Sequence, residues 1–347
     1  MPLRREVPFS RYDITRPALA ALLDGEPGYR LDQVWEGLWA QGKDPAEISV
    51  LPRPLRQRLA AALPAALTLA AEREADAGST IKSVWSLHDA SLVESVLMAY
   101  PDRVTVCVSS QAGCGMGCVF CATGQAGLTR QLTTGEIVEQ VIRARRRAAP
   151  RRLGNVVFMG MGEPMANYAH VWAAIERLHT DVGISARRIT VSTVGLVPGI
   201  RKLAAEALPV NLAVSLHAAN DELRTRLVPP NRRYPLADLT AACREYVRTT
   251  RRRLSFEWAL IDRVNDRLSD AAELAGLAVP LRAHVNLIPL NPTPGYPVRG
   301  TPAAGVRAFR DRLERLGVNA TVRDTRGSDI DAACGQLAAR VPVAASE

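Results

Sequence analysis

Strand and helix signals alternate along most of this 347-residue chain. Such alternation predicts an α/β fold with a parallel sheet and right-handed crossovers. Three observations carry the prediction. Short β-rich runs recur at residues 104–109, 155–159, 188–192, 210–216, 254–261 and 284–289, with 318–323 as a further candidate. Helix-spaced stretches lie between them, at 134–147, 171–178, 236–248 and 305–316. The first 85 residues read differently, as short helices only. Six strand–helix units make a partial (β/α)6 barrel or an open sheet, and functional residues are then expected just beyond the strand C-termini. The expected organisation is a small helical accessory domain over residues 1–85, followed by the α/β domain over 86–347.

Each element has a local basis. Leu19, Leu22 and Leu23, then Val34 and Leu38, then Leu51, Leu55, Leu59 and Leu63 give the N-terminal stretch its helical spacing. Pro52, Pro54 and Pro64 break it into short pieces. Hydrophobic residues make up 47% of the chain, enough for a large core. The longest apolar run, residues 59–71, is 13 residues long and interrupted by Pro64. A membrane span needs about 20, so the chain is expected to be soluble and cytoplasmic, with reduced thiols. No heptad pattern appears, so a monomer is expected. Lys and Arg number 44 against 35 Asp and Glu, a formal charge of +9. A polyanion such as RNA or DNA suits that charge. An Arg-rich soluble protein without such a partner suits it equally. The clusters Arg145-Arg146-Arg147 with Arg151-Arg152, and Arg251 to Arg253, are candidate phosphate contacts or solvated faces.

The cysteines carry the chemistry. Cys114, Cys118 and Cys121 form a C-x3-C-x2-C pattern just after the first strand of the α/β domain. Gly113, Gly115 and Gly117 allow a tight loop that points three sulfurs at one centre. Three thiolates leave one iron of a [4Fe–4S] cluster open, whereas an electron-transfer cluster has four cysteines. A structural zinc also needs four ligands; Cys107 could be the fourth, so zinc stays open. Gly162 and Glu163 follow the next strand, where a ligand can approach the backbone and a carboxylate can meet an ammonium; an ordinary capped turn reads the same way. Cys243 reads as core, and Cys107 by itself as a strand core residue. Cys334 follows two acids and precedes Gly335, which suggests an exposed segment. Glu94 alone would be a surface acid.

With these residues in place, a resemblance emerges. C-x3-C-x2-C with Phe120 before the last cysteine resembles the radical S-adenosylmethionine (SAM) signature. The segments CVSSQAGC, GMGEP, SLH, NLIPLNP and TRGSDIDAACGQLA are similar to those of the RlmN/Cfr family of adenosine RNA methyltransferases. The resemblance covers nearly the whole chain, from about Tyr29 to Leu337. It implies a partial (β/α)6 TIM-like barrel with a small N-terminal helical domain. It implies a [4Fe–4S] cluster on Cys114, Cys118 and Cys121, and SAM bound by Gly162, Glu163, Ser192, Ser215, Leu216, His217 and Asn291. It makes Cys334 an S-methylcysteine intermediate, Cys107 its partner in a transient disulfide, and Glu94 the proton acceptor. Two SAM molecules would serve each turnover: one methylates Cys334, and the other is cleaved to a radical that activates the S-methyl group. The implied activity is methylation of adenine C2 in 23S rRNA, with tRNA as a second substrate and a donor such as flavodoxin supplying electrons. C8 methylation of the rRNA adenosine, as in Cfr-type enzymes, and a non-catalytic metal-binding RNA-binding protein are the alternatives.

Overall fold

The computed structural model describes residues 10–293, 295–323 and 326–338. Three helices come first: α1 (Arg16–Leu22), α2 (Tyr29–Leu38) and α3 (Arg53–Ala62). Thr15 caps α1, its side-chain oxygen accepting from the Ala18 amide at 3.3 Å. Leu19, Leu38, Leu55 and Leu59 are buried, as their spacing predicts.

An antiparallel run follows: β1 (Thr68–Ala75), β2 (Thr80–Ser86), β3 (Leu92–Ala99) and β4 (Val104–Cys107). Next come β5 (Gln111–Gly113), α4 (Ala122–Ala126) and β6 (Leu128–Gln131), in which β5 and β6 form a small separate sheet. The alternating part continues with α5 (Thr134–Ala148), β7 (Asn155–Phe158), α6 (Tyr168–Thr180), β8 (Ile189–Thr193), α7 (Val197–Ala205), β9 (Asn211–Ser215), α8 (Asp221–Leu227), α9 (Leu236–Thr250), β10 (Leu254–Leu260), α10 (Leu268–Leu281), β11 (His284–Pro289), α11 (Ala303–Arg315) and β12 (Ala320–Val322).

The main sheet runs β1-β2-β3-β4-β7-β8-β9-β10-β11-β12. Every pair from β4 to β12 is parallel. β1 and β12 remain edges, so the barrel is partial. Its strands are near-continuous apolar runs because helices cover them; all seven residues of β10 are buried. α5 starts on a capping box in which the Thr133 hydroxyl accepts from the Glu136 amide at 3.2 Å and the Glu136 carboxylate accepts from the Thr133 amide at 2.9 Å.

Two expectations need correction. Residues 68–75 and 80–86 are strands, not part of a helical domain. β1 (Thr-Leu-Ala-Ala-Glu-Arg-Glu-Ala) is rich in helix formers, but its register against β2, from Thr68 opposite Ser86 to Ala75 opposite Thr80, overrides that propensity. The sheet therefore starts inside the stretch assigned to the helical domain. The Arg145–Arg147 run is also committed internally. Arg145 donates to the Trp39 carbonyl at 2.8 Å, Arg146 pairs with Glu47 at 2.8 Å, and Arg147 pairs with Glu72 at 3.2 Å and with Glu74. These arginines join α5 to the N-terminal helices and to β1.

The C-terminal segment bridges the two flanks of the sheet. The Gly327 amide donates to Asp76 Oδ2 at 3.1 Å beside β2, and Gln336 Nε2 donates to the Pro292 carbonyl at 3.3 Å beyond β11. Among the described residues, no helix is long and apolar enough to cross a membrane.

Candidate active site

Six parallel strands end on one cavity. It holds about 960 Å³ of atom-free space, counting its open mouth; small-molecule sites span roughly 300–1,000 Å³. Its wall contains Cys118 and Cys121 from the loop after β4, Gly162 and Glu163 after β7, Ser192 of β8, Ser215 of β9, His217, Asn291 after β11, and Cys334. Nine of the thirteen residues expected from sequence thus meet here. Cys114 lies buried in the same loop. Leu216 does not line this cavity: its side chain is buried in the core and its amide donates to the Glu257 carbonyl at 3.0 Å. Cys107 and Glu94 stand on the neighbouring face of the sheet, described below.

The cysteine loop is held closely. The Cys114 amide donates to the Gly127 carbonyl at 2.8 Å and the Cys121 amide to the Cys118 carbonyl at 3.2 Å. Gly113 has φ +77°, and a Cβ there would lie 2.1 Å from the Gly127 oxygen, so no other residue fits. Burial pushes the Cys114 thiol up to about 12 and the Cys118 thiol well above its ordinary range, with neighbouring thiols and Glu163 adding to both rises. Buried thiolates of this kind need cationic partners. Among the described residues, no three His, Cys, Asp or Glu side chains gather on a single ion. Cys114, Cys118 and Cys121 supply three thiolates, one for each of three irons of a [4Fe–4S] cluster, and leave the fourth iron open. The donor set fits the cluster.

Glu163 is buried, and burial raises its carboxyl to about 7 against the opposing amides of Val194 and Met165. Those amides donate to Oε2 at 2.8 Å and Oε1 at 3.0 Å. The carboxylate is therefore fixed in place and ready for a cation. Gly162, at φ +101°, brings the backbone against Gln111, where a Cβ would collide at 2.5 Å. His217 has φ +60°, a left-handed conformation uncommon outside glycine. Its Nδ1 accepts from the Ala259 amide at 2.9 Å, its ring meets Phe120 edge-on at 4.7 Å, and burial lowers its pKa to about 3. It is a neutral, rigid wall.

A second cavity adjoins the first and shares Met159, Ile288, Asn291, Arg323, Cys334 and Leu337 with it. Cys107, at the end of β4, also lines it. Cys334 is the one exposed cysteine; its backbone is held by Asn291 Nδ2, which donates to its carbonyl at 3.2 Å, and by the Ala122 amide, which donates to the Gly335 carbonyl at 2.8 Å. Desolvation raises the Cys334 thiol, and the Arg323 guanidinium opposes the rise. Arg323 in turn lies 3.7 Å from Glu257 Oε2.

Glu94 lies in mid-β3 opposite Val84, buried. It shares a strand face with Val96 and Met98, which line the second cavity. Lys82 Nζ is 3.6 Å from its Oε1.

Sequence reasoning missed Lys82, Arg224, Glu257 and Arg323. Arg224 is fully buried and donates to the carbonyls of Val194 at 2.5 Å and Leu216 at 3.1 Å, tying β8 to β9. A signal existed for two of the four: Lys82 and Glu257 are single charges inside apolar strand runs.

Similarity to known proteins agrees with this geometry. Residues 108–275 match the Radical SAM superfamily. The chain is 55% identical to the probable dual-specificity RNA methyltransferase RlmN of Parafrankia sp. (strain EAN1pec), over 94% of this chain and 90% of that one. The chain belongs to the RlmN family. An RlmN from Chloroflexus aurantiacus is 50% identical over 95% of this chain and 92% of its own length. The crystal structure of a radical SAM methyltransferase from Sphaerobacter thermophilus superposes with a TM-score of 0.93 at 51% identity, covering 96% of this chain and all of that one. The RlmN family thus accounts for the partial barrel, and radical SAM chemistry implies SAM and a [4Fe–4S] cluster.

Proposed function

We propose that this chain, a radical SAM RNA methyltransferase, methylates C2 of an adenosine in 23S rRNA and, as a second substrate, C2 of an adenosine in tRNA. The relatives' name, dual-specificity RNA methyltransferase, supports two RNA substrates. The observation that carries the reading is Cys334, which stands in the wall shared by two cavities, one with the cluster cysteines and one with Cys107.

Cys114, Cys118 and Cys121 would hold the cluster. Gly162, Glu163, Ser192, Ser215, Leu216, His217 and Asn291 would hold SAM. When bound, these groups supply a methyl donor and a one-electron route to a carbon radical. The chain's own residues do the rest. Cys334 takes the methyl group as a thiolate, which the nearby Arg323 guanidinium favours. After the one-electron route has taken a hydrogen atom from the S-methyl group, its carbon bonds to the adenine ring while still attached to the Cys334 sulfur. Glu94 accepts the proton displaced from the ring carbon. Cys107, as a thiolate, attacks the Cys334 sulfur; the sulfur–carbon bond breaks, its electron pair goes to the carbon, which gains a proton and stays on the ring as the methyl group, and the disulfide left behind is reduced before the next turnover. Two SAM molecules serve each cycle. The electron donor is a protein such as flavodoxin, and the enzyme works as a cytoplasmic monomer.

Anaerobic iron and sulfide analysis tests the foundation. About four irons per chain are expected in wild type, and loss of iron in Cys118→Ala. Nucleoside mass spectrometry of treated RNA is expected to find 2-methyladenosine; 8-methyladenosine would move the reaction to C8. Zinc without iron would replace the radical reading with a metal-binding RNA-binding module.

A further inference from the structure

Lys82 is a buried cation in the middle of β2. A buried ammonium is costly unless it is paired, so its two partners are informative. Its Nζ lies 3.6 Å from Glu94 Oε1. It also donates to the main-chain carbonyl of Asp331 at 3.2 Å. Asp331 stands three residues before Cys334 and has φ +54°, a left-handed conformation that persists in a non-glycine residue only where its surroundings fix it. One ammonium therefore joins the acid on β3 to the cysteine segment. Other contacts hold that segment elsewhere: Asp76 takes the Gly327 amide, and Asn291 and the Ala122 amide take the Cys334 and Gly335 carbonyls. Lys82 is the described contact that reaches both the segment and Glu94.

We propose that Lys82 is a positioning residue that sets the spacing between Glu94 and Cys334, so that the proton acceptor and the sulfur-bound carbon meet at the same ring carbon of the RNA base. This rests on the roles given above to Glu94 and Cys334. The step it serves is a proton transfer: the ring C–H bond breaks, an O–H bond forms on Glu94, and the bonding pair stays with the adduct. Lys82 is neither donor nor acceptor in this transfer. Methyl loading of Cys334 does not need this spacing, because Asn291 and Ala122 hold Cys334 and Gly335 independently.

Lys82→Met and Lys82→Arg test the assignment in single-turnover reactions. Three quantities are followed: Cys334 S-methylation by peptide mass spectrometry, the covalent protein–RNA adduct on denaturing gels, and methylated nucleoside. In Lys82→Met, Cys334 methylation is expected to stay within about threefold of wild type while the adduct persists and its resolution slows about 100-fold, as misplaced catalytic groups do. Lys82→Arg, which keeps the charge, should recover resolution to within about tenfold. Normal resolution in Lys82→Met overturns the proposal. So does slow adduct formation with resolution at the wild-type rate, which would assign Lys82 to the segment alone. Equal failure of both variants to methylate Cys334 reduces Lys82 to a structural role. Wild-type protein that methylates RNA without ever carrying a methyl on Cys334 defeats the underlying reading itself, and this proposal with it.

Discussion

The stretch that matches the Radical SAM superfamily and the parts of the chain outside it divide the site between them. Residues 108–275 contain Cys114, Cys118 and Cys121, together with Gly162, Glu163, Ser192, Ser215, Leu216 and His217. Glu94 and Cys107 fall before that stretch, and Asn291, Arg323 and Cys334 after it. The first set sits at the ends of parallel strands. The second is gathered from β3 of the antiparallel flank, from the ends of β4, β11 and β12, and from the C-terminal segment that crosses to meet them. On the function proposed above, radical generation and methyl transfer draw largely on separate parts of the chain, joined where Cys334 lines both cavities. Substitutions should separate the two functions.

The largest effect is expected at Cys334. Cys334→Ala should lower RNA methylation by at least about 10⁴-fold, as loss of a nucleophile does, while iron content stays at the wild-type level. Cys118→Ala should lose iron and methylation together. If Cys334→Ala also lost its iron, the two parts would not be separable. Glu94→Gln comes next. RNA product formation should slow by about 10² to 10⁴-fold with Cys334 still methylated; an unchanged rate would remove Glu94 from the proton-transfer step.

A pH effect tests the superfamily part alone. Burial raises Glu163 from 4.5 to about 7 in the folded protein. Between those values the folded state binds a proton that the unfolded state has lost, so this group's contribution to stability falls as pH rises through about 7. Binding the ammonium of SAM requires the carboxylate and runs the opposite way. SAM affinity should therefore rise about tenfold from pH 6 to pH 8, a shift of about 1.4 kcal/mol. Glu163→Gln should bind weakly and without this dependence; a wild-type affinity flat across that range would mean Glu163 does not meet a cation. The smallest effect belongs to Arg147, whose pairs with Glu72 and Glu74 are half exposed. Arg147→Ala should cost about 0.2–1 kcal/mol in denaturant unfolding and leave RNA affinity unchanged. A clear loss of RNA affinity would return this cluster to the RNA-binding surface.

Sequence made the parallel half legible because buried strands between helices read as short apolar runs; 284–289 coincides with β11, and 254–261 and 155–159 each overrun their strand by one residue. Gly162 and Glu163 stand out in the sequence as a glycine-rich strand end, but the SAM-binding role expected of them and of Ser192, Ser215, Leu216, His217 and Asn291 comes from the family resemblance. β1 was not, because its Ala, Glu and Arg prefer helix and only pairing with β2 makes it a strand. From sequence the basic run of α5 suits a phosphate contact and a solvated face equally, because its carboxylate partners are distant in the chain, 99 residues away for Arg146 and Glu47. The roles expected for Glu94, Cys107 and Cys334 came from family resemblance; nothing in their local sequence says that β3, β4 and the C-terminal segment share one face. Arg323 stayed hidden for the same reason, since its partner at 3.7 Å, Glu257, lies on another strand.

The most direct measurement follows a labelled methyl group. Protein is incubated with methyl-labelled SAM, the Cys334 peptide is isolated, and the washed protein is given RNA, reductant and unlabelled SAM. The label is expected on Cys334 first and then in the adenine product of the first turnover. Label that reaches RNA while Cys334 never carries it, or label that stays on Cys334 while unlabelled methyl enters the first product, would contradict the transfer of the methyl group through this cysteine.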